Sequence, residues 1–167
     1  TRVFPPLVAY YHWFRDNRTW PDGTYWSSGL GCGMDNQPRL QKGYDVHFSH
    51  GHMTWIDTTI QQVLAADQLA KMAAVLGRSE EITNIIDEGK ALAAFVNDHL
   101  WDEKSAFYYD RFRDGSQSAV RTIGAYWALL AGIVPQERME RFTGHLNDAG
   151  TFNRPHRVPT LPADHPD

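Results

Sequence analysis

The sequence predicts an all-α fold, and three observations carry that reading. Two long runs, 57–77 and 79–100, each show one apolar stripe at helical spacing. They are separated by only a residue or two, so they should pack as an antiparallel helical hairpin. A second pair of helical stripes follows, with only a brief extended excursion in between.

Taken in order, the first helix is predicted over Pro5–Phe14, where proline suits the opening turn and Leu7, Tyr10, Tyr11 and Phe14 recur on one face. From Asp16 to about Thr54, Pro21-Asp22-Gly23, Gly29, Gly31, Gly33, Pro38 and Gly43 rule out any regular element of length. So long an irregular stretch in a compact domain implies a functional loop or a lid. Asp57 can cap the next helix, with Ile60, Val63, Leu64, Leu69, Met72, Ala73 and Leu76 as its stripe and Gly77 as its stop. Ser79 can cap its partner, which carries Ile82, Ile85, Ile86, Leu92, Ala93, Val96 and Leu100. Ala106–Asp110 with Asp114-Gly115 reads as a short extended turn. A fourth helix is expected over Thr122–Val134, and a fifth from Pro135 with Met139, Phe142 and Leu146 inward. The tail from Asn153 is rich in proline.

Composition narrows the function. At 167 residues the chain has the size of one ordinary domain, and its 42% hydrophobic and 22% charged content is globular. A formal net charge of -4 with scattered basic residues argues against a nucleic-acid partner, which needs a concentrated basic surface. No apolar run approaches the length of a membrane-spanning helix. The lone Cys32 cannot form an internal disulfide and leaves the compartment open, cytoplasmic or periplasmic. His47, His50 and His52 in "HFSHGH" are metal-ligand residue types, but without helical i, i+4 spacing or an acidic companion they predict no metal, and no cofactor is expected. Aromatic content is high at 13%, with six tryptophans, and Trp20, Tyr25, Trp26 and Trp55 lie in or beside Gly-, Pro- and His-rich loops. Such placement suits contact with a ligand as well as packing.

The loop 26–39, "WSSGLGCGMDNQPR", resembles the active-site segment of family 63 glycoside hydrolases, the group of mannosylglycerate and glucosylglycerate hydrolases, with trehalases more distant. Their usual pattern is an aromatic residue followed by Ser-Gly-x-Asp-Asn-Ser-Pro-Arg. "TWIDTTIQQVLAADQLAKMA", "LWDEKSAFYYD", "LLAGIVP" and "PHRVPTLPADHP" resemble later segments in the same order. The resemblance implies an (α/α)6 barrel, two concentric rings of helices, of which residues 1–167 supply about half. It also implies the acid-bearing part of an inverting α-glycosidase acting on α-glucosides or α-mannosides. Gly31, Cys32 and Gln37 replace a glutamate and two serines of the pattern, departures that bear on substrate choice more than on chemistry.

By resemblance Asp35 is the catalytic acid, and aromatic and apolar neighbours are expected to desolvate its carboxyl group and raise its pKa. An Asx turn in a tight loop is the plainer reading of the same residue. Asn36 and Arg39 are candidates for binding sugar hydroxyls or orienting Asp35, against a loop clamp in which Arg39 pairs with Asp45. Trp26 and Trp55 could form platforms for a pyranose face, His52 could stand at the pocket mouth, and Asp57 could touch substrate besides capping its helix. The second carboxylate, in this family a glutamate further downstream, is expected to lie outside the chain. Glu80, Glu81, Glu88, Glu103, Glu137 and Glu140 read as helix-surface or turn residues. The expected partners are therefore a carbohydrate and the remainder of the barrel, in the same polypeptide or a second chain. A carbohydrate-binding or assembly subunit without catalysis, and a sugar epimerase with a histidine base, are the rival readings.

Overall fold

The computed structural model describes residues 2–35, 37–156 and 158–166. Helix α1 spans Phe4–Asn17 with proline in its first turn, where amides have no intrahelical acceptor to lose. It runs further than the sequence predicts, and closes where the Arg18 amide donates to Phe14 O at 2.8 Å. The loop that follows holds a one-turn helix, α2, over Gly29–Cys32. Helices α3 (Ile56–Leu76) and α4 (Thr83–His99) form the predicted hairpin. Its antiparallel register shows in the shared clusters: Ile60 with Val96, Val63 with Leu92, and Ala73 with Ile82. The helices cross closely at Gly89, where an added Cβ would stand 2.7 Å from Ala66 Cβ.

The cap assignments need correction. Trp55, not Asp57, stands at the start of α3, and Asp57 lies one position inside the first turn. The first amide of the helix, Ile56 N, is instead satisfied by a carboxylate distant in sequence, Asp110 Oδ1 at 2.8 Å. Ser79 is the first residue of a 3-10 turn over Ser79–Ile82, whose cap position is Arg78, and the cap position of α4 is Ile82. The expected helix over Thr122–Val134 resolves into a 3-10 turn, Ile123–Tyr126, and a single α-turn, α5 (Trp127–Leu130). Its entry is set by the Thr122 hydroxyl, which accepts from Gly124 N at 3.1 Å, a local bond that competes with helix propagation. Helix α6 then spans Gln136–Asn147 behind Pro135, as the sequence indicates.

Among the described residues, four two-residue strands, all antiparallel, pin the loops. β1 (Met53–Thr54) pairs with β4 (Arg111–Phe112), and β2 (Trp101–Asp102) with β3 (Phe107–Tyr108). The predicted extended excursion thus serves two hairpin-like contacts, one of them with the segment leading into α3. Phe107, Tyr108, Tyr126, Phe142 and Phe152 build the main core, with Tyr126 stacked on Phe142 at 4.5 Å between ring centroids. Phe152 anchors the start of the tail, which then returns to α5's entry: Thr160 O accepts from Ile123 N at 3.1 Å. Among the described residues, no helix is long and apolar enough to cross a membrane.

The α3–α4 contact generates a stability prediction. Gly89→Val forces the helices apart against a well-packed interface, an overpacking cost of about 1–3 kcal/mol. Thermal denaturation should show a Tm lower by roughly 2–4 °C for each kcal/mol, and an unchanged Tm would mean that the helices do not approach this closely.

Candidate active site

The loop between α1 and α3 is irregular but not loose. Thr19 and Tyr25 pair across a tight turn made by Pro21-Asp22-Gly23, closed by Gly23 N donating to Trp20 O at 2.9 Å. The Ser28 hydroxyl caps α2, accepting from Gly31 N at 3.3 Å. Leu30 N donates to His47 O at 3.0 Å, so the start of α2 is tied to the far side of the loop. After α2, Met34 and Gln37 reach the α5 entry. The Thr122 hydroxyl donates to Gln37 Oε1 at 2.9 Å, and Gln37 Nε2 donates to Thr160 O at 2.7 Å. The chain is thereby fastened on both sides of Asp35.

The strongest fastening is a buried ion triad. Arg39 Nε and Nη2 donate to Asp110 Oδ2 and Oδ1 at 2.8 and 2.7 Å, while Nη1 and Nη2 donate to Asp57 Oδ2 and Oδ1 at 2.6 and 3.1 Å. Nη1 also lies 3.9 Å from Cys32 Sγ, so every donor of the guanidinium fork has a protein partner. The group lies 4.4 Å from the centroid of the Trp55 ring, and the Trp55 Nε1 donates to His50 O at 2.9 Å. Burial works to lower the Arg39 pKa, but the charges of Asp110 and Asp57 outweigh it and hold the guanidinium well above its ordinary value. Burial also pushes the Cys32 thiol up, with the Asp57 carboxylate adding to the effect. Gly124 is required beside this triad, because a Cβ there would stand 2.9 Å from Asp57 Cβ and 3.1 Å from Met34 Cε.

Several predicted roles change as a result. Arg39 does form a clamp, but with Asp57 and Asp110; Asp45 instead accepts the amides of His47 and Phe48 at the surface. Arg39, Trp55 and Asp57 are each no more than 2% exposed. Their polar groups are engaged within the protein, in the ion triad and in the Trp55 Nε1 bond to His50 O. Glu88, partly exposed on α4, accepts a 2.5 Å hydrogen bond from the Tyr25 hydroxyl. Asp110 is the residue that sequence reasoning missed. Its signals were a carboxylate ending an otherwise aromatic run, "AFYYD", and its position just before a strand.

Asp35 itself is exposed, and forms no ion pair among the described residues. The tryptophan rings of the loop pack on Arg39 and on the histidines. Asn36 lies outside the described residues. Beside the loop is an opening of about 490 Å³, lined by Cys32, Met34, Gln61, Ile123, Gly124 and Trp127.

Trp26 and His52 belong to a second, partly exposed group. Trp20, Trp26, His50 and His52 lie with ring centroids 5.0–6.3 Å apart, and Arg18 stacks over Trp26 at 4.5 Å. His52 has a positive φ of 50°, held by its amide donating to His50 Nδ1 at 2.9 Å. Burial and the neighbouring His52 lower the His50 pKa below its usual value. His47 stands apart, against Phe48. Among the described residues, no group of three His, Cys, Asp or Glu side chains could hold a metal ion.

The triad has a measurable consequence. Arg39→Met leaves Asp57 and Asp110 buried, close and unpaired, for an expected loss of about 3–5 kcal/mol in chemical denaturation. A variant as stable as the parent would show that the triad is not formed.

Comparison with known proteins places this arrangement. Residues 1–167 match the model of the mannosylglycerate hydrolase MGH1-like glycoside hydrolase domain. An uncharacterized protein of Borreliella burgdorferi is 25% identical over 166 residues, covering 99% of this chain and 33% of that protein. The family 63 mannosylglycerate hydrolase of Thermus thermophilus, solved with glucose, superposes with a TM-score of 0.78 at 22% identity, covering 99% of this chain and 48% of its own. A sialidase superposes with a TM-score of 0.85 at 17% identity, over 15% of its length. The chain thus spans a third of the Borreliella protein and about half of the Thermus enzyme, and its helices correspond to about half of an (α/α)6 toroid. The resemblance carried by "WSSGLGCGMDNQPR" and the segments after it therefore holds: the chain belongs to the MGH1-like glycoside hydrolases, a domain of glycoside hydrolase family 63.

Proposed function

We propose that this glycoside hydrolase domain carries the general acid of an inverting α-glycosidase, acting on α-glucosides or α-mannosides of the oligosaccharide or glycosylglycerate type. Asp35 is the acid. The observation that carries the reading is an exposed carboxylate on a loop fixed before and after it, in the segment whose resemblance to the family's active-site pattern assigns Asp35 the acid role. An inverting enzyme must keep its two carboxyl groups roughly 6.5–9.5 Å apart to admit a water, and only an immobilised loop can hold such a distance.

In this reading the Trp26 face and the His52 ring line the approach to the leaving group, and Asn36 hydrogen-bonds a sugar hydroxyl or Asp35. Arg39, Trp55 and Asp57 form the support beneath. The base is a glutamate outside residues 1–167. Several glutamates within the chain are already engaged: Glu81 pairs with Arg78, Glu88 accepts from Tyr25, and Glu103 binds Arg141. The remainder of the barrel would also cover the opening by Met34 and Trp127.

Removing a general acid typically costs a factor of about 10²–10⁴ in rate. Asp35→Asn in the complete protein should therefore lower kcat by that much on alkyl and natural α-glucosides or α-mannosides, measured by sugar release, while residues 1–167 alone bind sugar without turnover. Undiminished turnover in the variant removes Asp35 from the mechanism. A complete protein that binds sugar but hydrolyses none of these substrates favours a carbohydrate-binding role.

A further inference from the structure

The triad is more than a single ion pair needs to be. One carboxylate would neutralise Arg39. The second adds an unbalanced negative charge to the interior, since Asp57 and Asp110 are both at most 1% exposed, and an extra buried charge is unfavourable unless geometry offsets it. What Asp110 contributes is geometry. Its two oxygens take Nε and Nη2 in the parallel, two-bond form that fixes the plane of a guanidinium. Asp110 Oδ1 also accepts from Ile56 N, and Arg111, next in sequence, pairs with Thr54. Its position is thereby set by the α3 N-terminus and the β1–β4 contact.

The fixed guanidinium in turn grips the loop on both sides of Asp35: through its own backbone four residues after it, and through the Nη1 contact to Cys32 three residues before it. We propose that Asp110 is a positioning residue for the acid, acting through Arg39 to hold the Cys32–Arg39 segment so that the Asp35 carboxyl group meets the glycosidic oxygen. This rests on the reading of Asp35 as the acid. Asp110 touches no substrate. Its effect is transmitted as distance, and a displacement of about 1 Å in a reacting group can cost on the order of 10²-fold in rate.

The test uses two substrates of the same sugar in the complete protein: an alkyl α-glycoside, whose leaving oxygen must be protonated, and the α-glycosyl fluoride, whose leaving group requires no proton from an acid. Asp110→Asn retains an acceptor for Ile56 N but sets an amide N–H against Arg39, and Arg39→Lys keeps the buried charge while losing the fork. Both variants should lose about 10- to 100-fold in kcat on the alkyl glycoside, with KM little changed and fluoride hydrolysis largely retained. An equal loss on both substrates, no loss on either, or failure of both variants to accumulate as folded protein would assign the triad to folding alone and overturn the proposal. Asp35→Asn is run alongside. If it lacks the substrate-selective loss, the acid assignment fails and the positioning role falls with it. If it shows that loss and the triad variants do not, only the positioning role fails.

Discussion

A single buried guanidinium organises the loop side of this domain. Arg39 joins three segments far apart in sequence: its own Gly-rich loop, the first turn of α3 through Asp57, and the end of the β3 excursion through Asp110. Without it, two carboxylates would be left in the interior with no compensating charge. With it, a stretch of chain that has almost no regular structure acquires a fixed path. The Trp55 ring lies over the guanidinium of Arg39, which is 2% exposed, and low local dielectric strengthens charge-assisted bonds.

The rest of the core serves the same end from the opposite side. Phe107, Tyr126, Phe142 and Phe152 hold the α5 entry, α6 and the start of the tail together. That packing places Thr122 and the Thr160 carbonyl where Gln37 can reach both. The loop is therefore held between a polar anchor on α3 and another on the aromatic core, with Asp35 exposed between them. The apolar opening beside it and the solvent-facing Leu130 and Trp13 show how much surface these helices leave uncovered, as expected for about half of a double ring of helices.

Some of this was legible in the sequence. The α3–α4 hairpin was, because its apolar stripes repeat at helical spacing and Gly77 punctuates them. So was the family, because the loop motif and the segments after it occur in order. The caps were not. Asp57 and Ser79 have the right residue types at the right places, yet α3 takes its first acceptor from Asp110, far along the chain. The predicted helix at Thr122 was shortened by a threonine hydroxyl bond and a glycine that must admit Asp57 and Met34, neither of which alters the apolar period.

The sequence by itself determined the α3–α4 hairpin, the helix behind Pro135 and the family, since these follow from local spacing and from motifs that occur in order along the chain. Tertiary structure alone decided which side chains come together. It buried Arg39, Trp55 and Asp57 and joined Arg39 to Asp57 and Asp110, because ion pairing and burial are set by groups that meet only when the chain has folded.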